Sequence, residues 1–362
     1  MPRAARPRVV VAGAGFAGLR VAQALQKDAR VTVVAPDDFV FLPLLHEVLV
    51  ESVVPPDITV RLEDAVPRAE VVRDRATSVE GRELVTASGR RLPFDALVVA
   101  VGAEPNDFGV PGVRENALPF ASVRDALRAS GRLRTAAADA PGRAVRVVVA
   151  GAGFTGVEVA GEAAALLDRL GVAREVTLLD ALPDVFPRQG AAFRREIRAA
   201  LERLRLRLRT STRIVEALPD GVRVQPPAKG GSAPAAETVP ADVVFWCAGV
   251  RPRTVAGVHP LVRPTLQSVA RDDVYVCGDG ASFPKEMQVP LLAQTAEQQA
   301  PLVAWNVLHP EAPKEYVPKV KGLIVSVGPR YAVAEMAGGN VVAGEVPWHV
   351  KRQLYKAKIR MA

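Results

Sequence analysis

The chain is poor in the residue types on which several common chemistries rest. Its 362 residues hold two cysteines, Cys247 and Cys277, 30 positions apart and without a C-x-x-C pair, which excludes a disulfide framework and a zinc ribbon. The four histidines, His46, His259, His309 and His349, are scattered, and none belongs to an H-E-x-x-H pair or a serine-triad signature. Neither a metal site nor a serine nucleophile is therefore expected. No apolar run approaches the roughly 18 residues of a membrane-spanning helix, and no signal-type apolar region follows the basic opening "MPRAARPRVV". A cytoplasmic protein with at most a peripheral membrane contact is the expectation. Aromatic residues make up 5% and the net charge is +8. From Lys314 onward nine Lys/Arg face three Glu, a net +6, without the interleaved aromatics of a single-strand stacking platform. The excess is one tail, suited to an anionic membrane surface or partner rather than to nucleic acid.

What the chain does have is a duplication. "VVVAGAGF" begins at Val9 and again at Val147. Each copy is an apolar run, then G-A-G-F-x-G, then helical apolar spacing, which reads as strand, tight turn and helix. Gly13 and Gly151 allow the turn, Gly15 and Gly153 let a pyrophosphate approach the backbone, and Gly18 and Gly156 let helix and strand pack closely. Phe16, Ala17, Phe154 and Thr155 open the two helices, where free N–H groups and the positive dipole end favour phosphate. A second duplication agrees with the first. "DALVVAVGAEP" from Asp95 and "DVVFWCAGVRP" from Asp242 share an Asp, an apolar strand, a Gly (Gly102, Gly249) and a Pro. Two Rossmann-type dinucleotide domains, each with a small antiparallel β insertion, are the economical α/β fold, and electron transfer between a flavin and a nicotinamide is the economical use of two such sites.

The ordered set "GAGFAG", "FLPLLHEV", "LVVAVGAEPNDFGVPG", "GAGFTGVEVAGE", "VTLLDALPDVFP", "WCAGVRP", "VYVCGDGAS" and "LLAQTAEQQA" over residues 8–308 resembles the two-dinucleotide-binding-domain flavoproteins, and within them the type II NADH dehydrogenases. The resemblance implies FAD on the first glycine turn and NADH on the second, with a quinone as electron acceptor. It gives Asp279, in the turn begun by Gly278, the flavin ribityl chain, and it sets Pro43 and a backbone contact of Ala296 near the flavin. Gln294 and Gln298, four apart on one helix face, would line the quinone pocket, and Glu158 would sit at the nicotinamide–flavin junction. The alternative for Glu158 is a carboxylate merely favoured by the helix dipole. His46 and Glu47 are candidates for proton delivery. Asp180, 24 residues after Gly156, stands near the spacing at which an acid takes the adenosine ribose, which favours NADH over NADPH.

Two departures accompany the resemblance. Ala35 occupies the strand end where an acid is usual in the first copy, leaving Asp37 or Asp38 to reach the ribose. The tail "VPWHVKRQLYKAKIRMA" places Val350, Leu354, Ala357 and Met361 on one helical stripe among five basic residues, with Trp348, Tyr355 and Ile359 on the other side. A basic interfacial helix is expected, with docking onto the protein or a dimer mate as its alternative. The domain reading is 1–112 with 245–310 for FAD, 113–244 for NAD, and 311–362 as a C-terminal basic α+β segment. Competing functions are a reductase of the apoptosis-inducing-factor or ferredoxin-reductase kind, and a non-enzymatic redox sensor.

Overall fold

The computed structural model describes residues 6–226 and 235–360. The first five residues of the basic N-terminus, residues 227–234 of the "PPAKGGSAPAA" excursion, and Met361 of the tail stripe lie outside the described residues. The valines at 9–11 and 147–149 are all 2% exposed or less, and a strand buried on both faces needs a covering layer on each side. They form the central strands of two five-stranded parallel sheets. The first runs Val274–Val276, Ala96–Val99, Arg8–Ala12, Arg30–Val34, Glu70–Val72, and the second Leu118–Pro119, Val243–Trp246, Val145–Ala150, Arg174–Leu179, Arg207–Arg209. In each, the chain leaves the central strand to one side and later returns to the other. The crevice at that switch point is where such sheets take ligands.

Each half carries a three-stranded antiparallel insertion, Ala76–Glu80, Glu83–Thr86 and Arg91–Pro93 in the first, Arg213–Leu218, Gly221–Gln225 and Glu237–Pro240 in the second. Two crossings join the halves, and they pair with each other. Ala103–Pro105 lies antiparallel to Val250–Pro252, with Glu104 opposite Arg251 and their side chains ion-paired at 2.8 Å. The duplicated Gly-to-Pro segments thus form one ribbon. The return crossing falls after Trp246 rather than at 245, because Val243–Trp246 is held in the second sheet beside Val145–Ala150.

The last segment is an antiparallel sheet of Gly322–Ser326, Ala332–Met336 and Val341–Gly344 followed by the helix Glu345–Arg360. It docks on the helix Phe154–Arg169 with a close backbone approach. A Cβ on Gly161 would stand 2.3 Å from the Gly328 nitrogen. Only glycine admits that backbone, and the approach brings Ser326 and Lys351 against the second glycine helix.

Candidate active site

The two glycine turns are built alike. Gly13 N–H donates to Val34 O at 2.8 Å and Gly151 N–H to Leu179 O at 2.7 Å. A Cβ on Gly13 would lie 2.3 Å from Ala100 O, and one on Gly151 2.4 Å from Cys247 O, while at Gly15 and Gly153 no described residue stands within 4 Å. The space over the turn is open in both halves and the backbone beneath it is locked. The helices Phe16–Leu25 and Phe154–Arg169 start with no side-chain cap, so their first N–H groups remain for an anion. In the first half, Gly278 brings three of the expected residues together, its Cβ position lying 3.2 Å from Ala17 Cβ and 3.9 Å from Ala296 Cβ. Burial raises the carboxyl of the adjacent Asp279 above the usual range. The buried Gln299, whose Oε1 accepts from Gly278 N–H at 2.6 Å, fixes this turn. The four-residue spacing selects Gln294 and Gln298, not Gln299.

Asp180 is clamped to the second turn. Its Oδ2 accepts from Ala152 N–H at 2.6 Å and its Oδ1 from Leu182 N–H at 2.8 Å. The first half has no counterpart, since Ala35 is buried at the strand end. Asp38 accepts from Leu62 N–H and from Arg73 Nη2 at 2.6 Å, which leaves the exposed Asp37 as the nearer candidate for a ribose. Gly102 and Gly249 both have positive φ at the ribbon's start. Cys277 is buried and Cys247 partly so, and desolvation pushes each thiol up to about 12.

Between the halves lies a cluster of charge that local spacing does not announce. Glu158 Oε1 accepts from Lys351 Nζ and, at 3.3 Å, from Ser326 N–H, and its Oε2 lies 3.5 Å from His46 Nδ1. Lys351 is 1% exposed. It also donates to Ser326 Oγ at 2.8 Å and faces His46 Nε2 at 3.5 Å. An ammonium only donates, so Nε2 is the accepting nitrogen and the proton sits on Nδ1, toward Glu158. Desolvation, then Lys351 and Arg352, lower the His46 pKa well below its ordinary value, so the ring is neutral. Desolvation raises Glu158, against the pull of Lys351. One turn further along, Glu162 is buried, and desolvation followed by the charge of Glu47 pushes it up to about 8. Glu47, buried on the short helix Leu45–Leu49, pairs through Oε2 with Arg352 at 3.3 Å, while its Oε1 has no hydrogen-bond partner among the described residues. Desolvation raises it too. Pro43 stands half-buried in the preceding turn, Leu42–Leu44.

Two expectations change. The tail's five basic residues are expected to face a membrane, but three of them are spent on the protein. Lys351 is buried on Glu158, Arg352 pairs with Glu47, and Lys358 meets Glu297 at 2.5 Å. The helix Glu345–Arg360 does carry the expected stripe outward. Val350 is 45% and Leu354 51% exposed, joined by Val346 at 69%, while Tyr355 packs on Phe41 with ring centroids 4.9 Å apart. Gln294 and Gln298 do share a face, but both carboxamides are occupied by backbone. Gln294 donates to Gly322 O and accepts from Lys321 N–H, and Gln298 donates to Lys319 O and accepts from Lys319 N–H. They act as pins for residues 319–322.

A family model of pyridine nucleotide-disulphide oxidoreductases matches residues 7–300. Among curated proteins, the chain is 28% identical over 352 residues to the alternative NAD(P)H-ubiquinone oxidoreductase C1, chloroplastic/mitochondrial, of Arabidopsis thaliana, covering 83% of this chain and 67% of that one. It is 27% identical over 373 residues to the type II NADH:quinone oxidoreductase of Staphylococcus saprophyticus, covering 93% and 91%. Among solved structures it superposes on NDH2 from Plasmodium falciparum in complex with NADH with a TM-score of 0.85 over 97% of this chain and 95% of that one, at 16% identity, a likeness of fold.

Proposed function

Given that the chain belongs to the pyridine nucleotide-disulphide oxidoreductase family, we propose that it is a type II NADH:quinone oxidoreductase, with FAD in the first half and NADH in the second. The observation that carries this reading is the junction itself, where Glu158 on the second glycine helix meets His46 from the first half. Bound FAD supplies the chemistry, taking a hydride from NADH and passing two electrons to a quinone. The residues fit that group: Gly15 leaves room for a pyrophosphate, Gly278 sets Ala17 and Ala296 side by side, and Asp279, whose carboxyl is desolvated by burial, would accept from a ribityl hydroxyl. Each hydride delivered to a quinone requires one further proton from solvent. Glu162, which keeps its proton to about pH 8, and His46 Nδ1–H hold protons beside Glu158. Gln294 and Gln298 serve the acceptor side by pinning residues 319–322 as one wall of the quinone pocket.

Under anaerobic conditions NADH is expected to bleach the flavin absorbance, and a soluble quinone to restore it. The kcat/KM for NADH should exceed that for NADPH roughly 100-fold, because Asp180 opposes a 2′-phosphate and like charges set together cost several kcal/mol. Equal values would overturn the role of Asp180. Restoration by a small iron–sulfur protein but by no quinone would assign the ferredoxin-reductase reading instead.

Among the described residues no helix is long and apolar enough to cross a membrane. The chain meets its lipid-soluble acceptor, in this reading, by laying the stripe Val346, Val350 and Leu354 on the cytoplasmic face of a bilayer. With Lys351, Arg352 and Lys358 engaged, apolar insertion carries the contact. Co-sedimentation with anionic vesicles should therefore survive about 1 M salt, where screening is nearly complete, and should be lost in a Val350→Asp/Leu354→Asp variant that still reduces a soluble quinone. If that variant pellets like the wild type but no longer dimerises, the stripe belongs to a second copy of the chain.

A further inference from the structure

Phe108 sits where folding alone would not put it. Its φ is +52°, a region that bulky residues adopt only under constraint, and the residue is 61% exposed, so burial returns little of that conformational cost. The turn that imposes this is braced throughout. Phe108 N–H donates to Asn106 Oδ1 at 3.0 Å and Gly109 N–H to Asp107 Oδ1 at 3.1 Å. Asp107 is ion-paired with Arg114 at 2.8 Å. Asn106 O accepts from Trp246 Nε1 at 2.7 Å, and Asn106 N–H donates to Gly249 O at 3.0 Å. A rigid, solvated turn that displays an aromatic ring points to a use for the ring.

The ring's position shows what that use is. A Cβ on Gly249 would stand 3.5 Å from Phe108 Cζ and 3.7 Å from Cε2, whereas at Gly102, its counterpart in the duplicated skeleton, nothing stands within 4 Å. The two halves, alike at their glycine turns, differ here: one crevice edge is open and the other is walled. Gly249 follows the strand Val243–Trp246, and Cys247 O abuts Gly151 of the glycine turn. Asp180 follows Arg174–Leu179, on the other side of the central strand Val145–Ala150. A dinucleotide with its adenosine ribose at Asp180 and its pyrophosphate at the turn directs its nicotinamide end toward the edge where Phe108 stands.

We infer that Phe108 is an aromatic wall for the nicotinamide riboside end of NADH, setting affinity for that end of the dinucleotide. The inference rests on the assignment of the second half to NADH. Its test is calorimetric binding of NAD⁺ and, separately, ADP to the FAD-loaded full chain. Phe108→Asn removes the ring but keeps a residue that tolerates a positive φ. It is expected to weaken NAD⁺ about tenfold, to leave ADP affinity unchanged and not to lower Tm, while Phe108→Tyr binds NAD⁺ like the wild type. Unchanged NAD⁺ affinity in Phe108→Asn overturns the inference. So does a parallel loss of ADP affinity or of Tm, which would make the ring a structural prop. A wild-type chain that binds no NAD⁺ would strike down the parent reading along with it, whereas normal NAD⁺ binding in both forms removes this inference alone.

Discussion

Lys351→Met should lower stability by about 3–5 kcal/mol and cut NADH:quinone turnover at least about 100-fold. The stability loss follows from leaving the Glu158 carboxylate in a desolvated place without its ammonium, and the turnover loss is of the size produced by removing one oriented donor from an active site. Lys351 also donates to Ser326 Oγ and faces His46 Nε2, so one substitution disturbs the whole junction. Adding Glu158→Gln in the same chain separates the two effects. With neither charge buried, most of the stability should return, because a buried pair is worth little against a neutral replacement, yet turnover should stay low. Urea denaturation and steady-state rates on the single and double variants would check this. A Lys351→Met protein with a wild-type urea midpoint would mean that the pair does not hold the C-terminal helix, and a double variant with restored turnover would reduce the pair to a structural role.

Glu162→Gln should make the protein more stable at pH 8, by up to about 4 kcal/mol. In the folded chain Glu162 holds its proton to about pH 8, against an ordinary value of 4.5. The unfolded chain gives that proton up near 4.5, so between these values the folded state binds more protons and stability falls as pH rises. At about 1.4 kcal/mol per pKa unit the span from 4.5 to about 8 sets a limit of about 5 kcal/mol well above pH 8, of which about 4 is reached at pH 8 itself. Glu47 and Glu158, both raised, add slope of the same sign and remain in the variant. Urea midpoints measured from pH 5 to 9 on both proteins test the point. A variant with the wild-type slope would show that Glu162 is ionised throughout and that the proton reserve lies elsewhere.

The glycine turns were legible because their requirement is local. A βα turn that must pass within 2.4 Å of a neighbouring carbonyl at a Cβ position admits glycine alone, and the strand before it and helix after it are written in adjacent residues. Asp180 was singled out for a similar reason, as a strand end at a set distance from Gly156, whereas the Gly278–Asp279 turn was singled out by the family resemblance. Helix phase was legible only in part. The outward stripe on Glu345–Arg360 follows from spacing, but which of two neighbouring amides, Gln298 or Gln299, turns inward depends on how the helix Ala293–Leu308 lies against Gly278.

From the sequence by itself come the two glycine turns with their strands and helices and the apolar stripe of the last helix, since each rests on residues close together in the chain. Tertiary structure alone decided that Lys351 joins Glu158 and His46 at the junction. Lys351 lies 193 residues from Glu158, and a lysine in a basic tail is by default a solvated charge. What makes it otherwise is the approach of Gly328 to Gly161, which seats the C-terminal sheet on the second glycine helix and carries Lys351 out of water, where an unpaired carboxylate would be too costly to keep. Phe108 is a second case: nothing in "PNDFGVPG" tells that its ring will stand over Gly249, because the two segments meet only when the crossings between the halves pair as one ribbon.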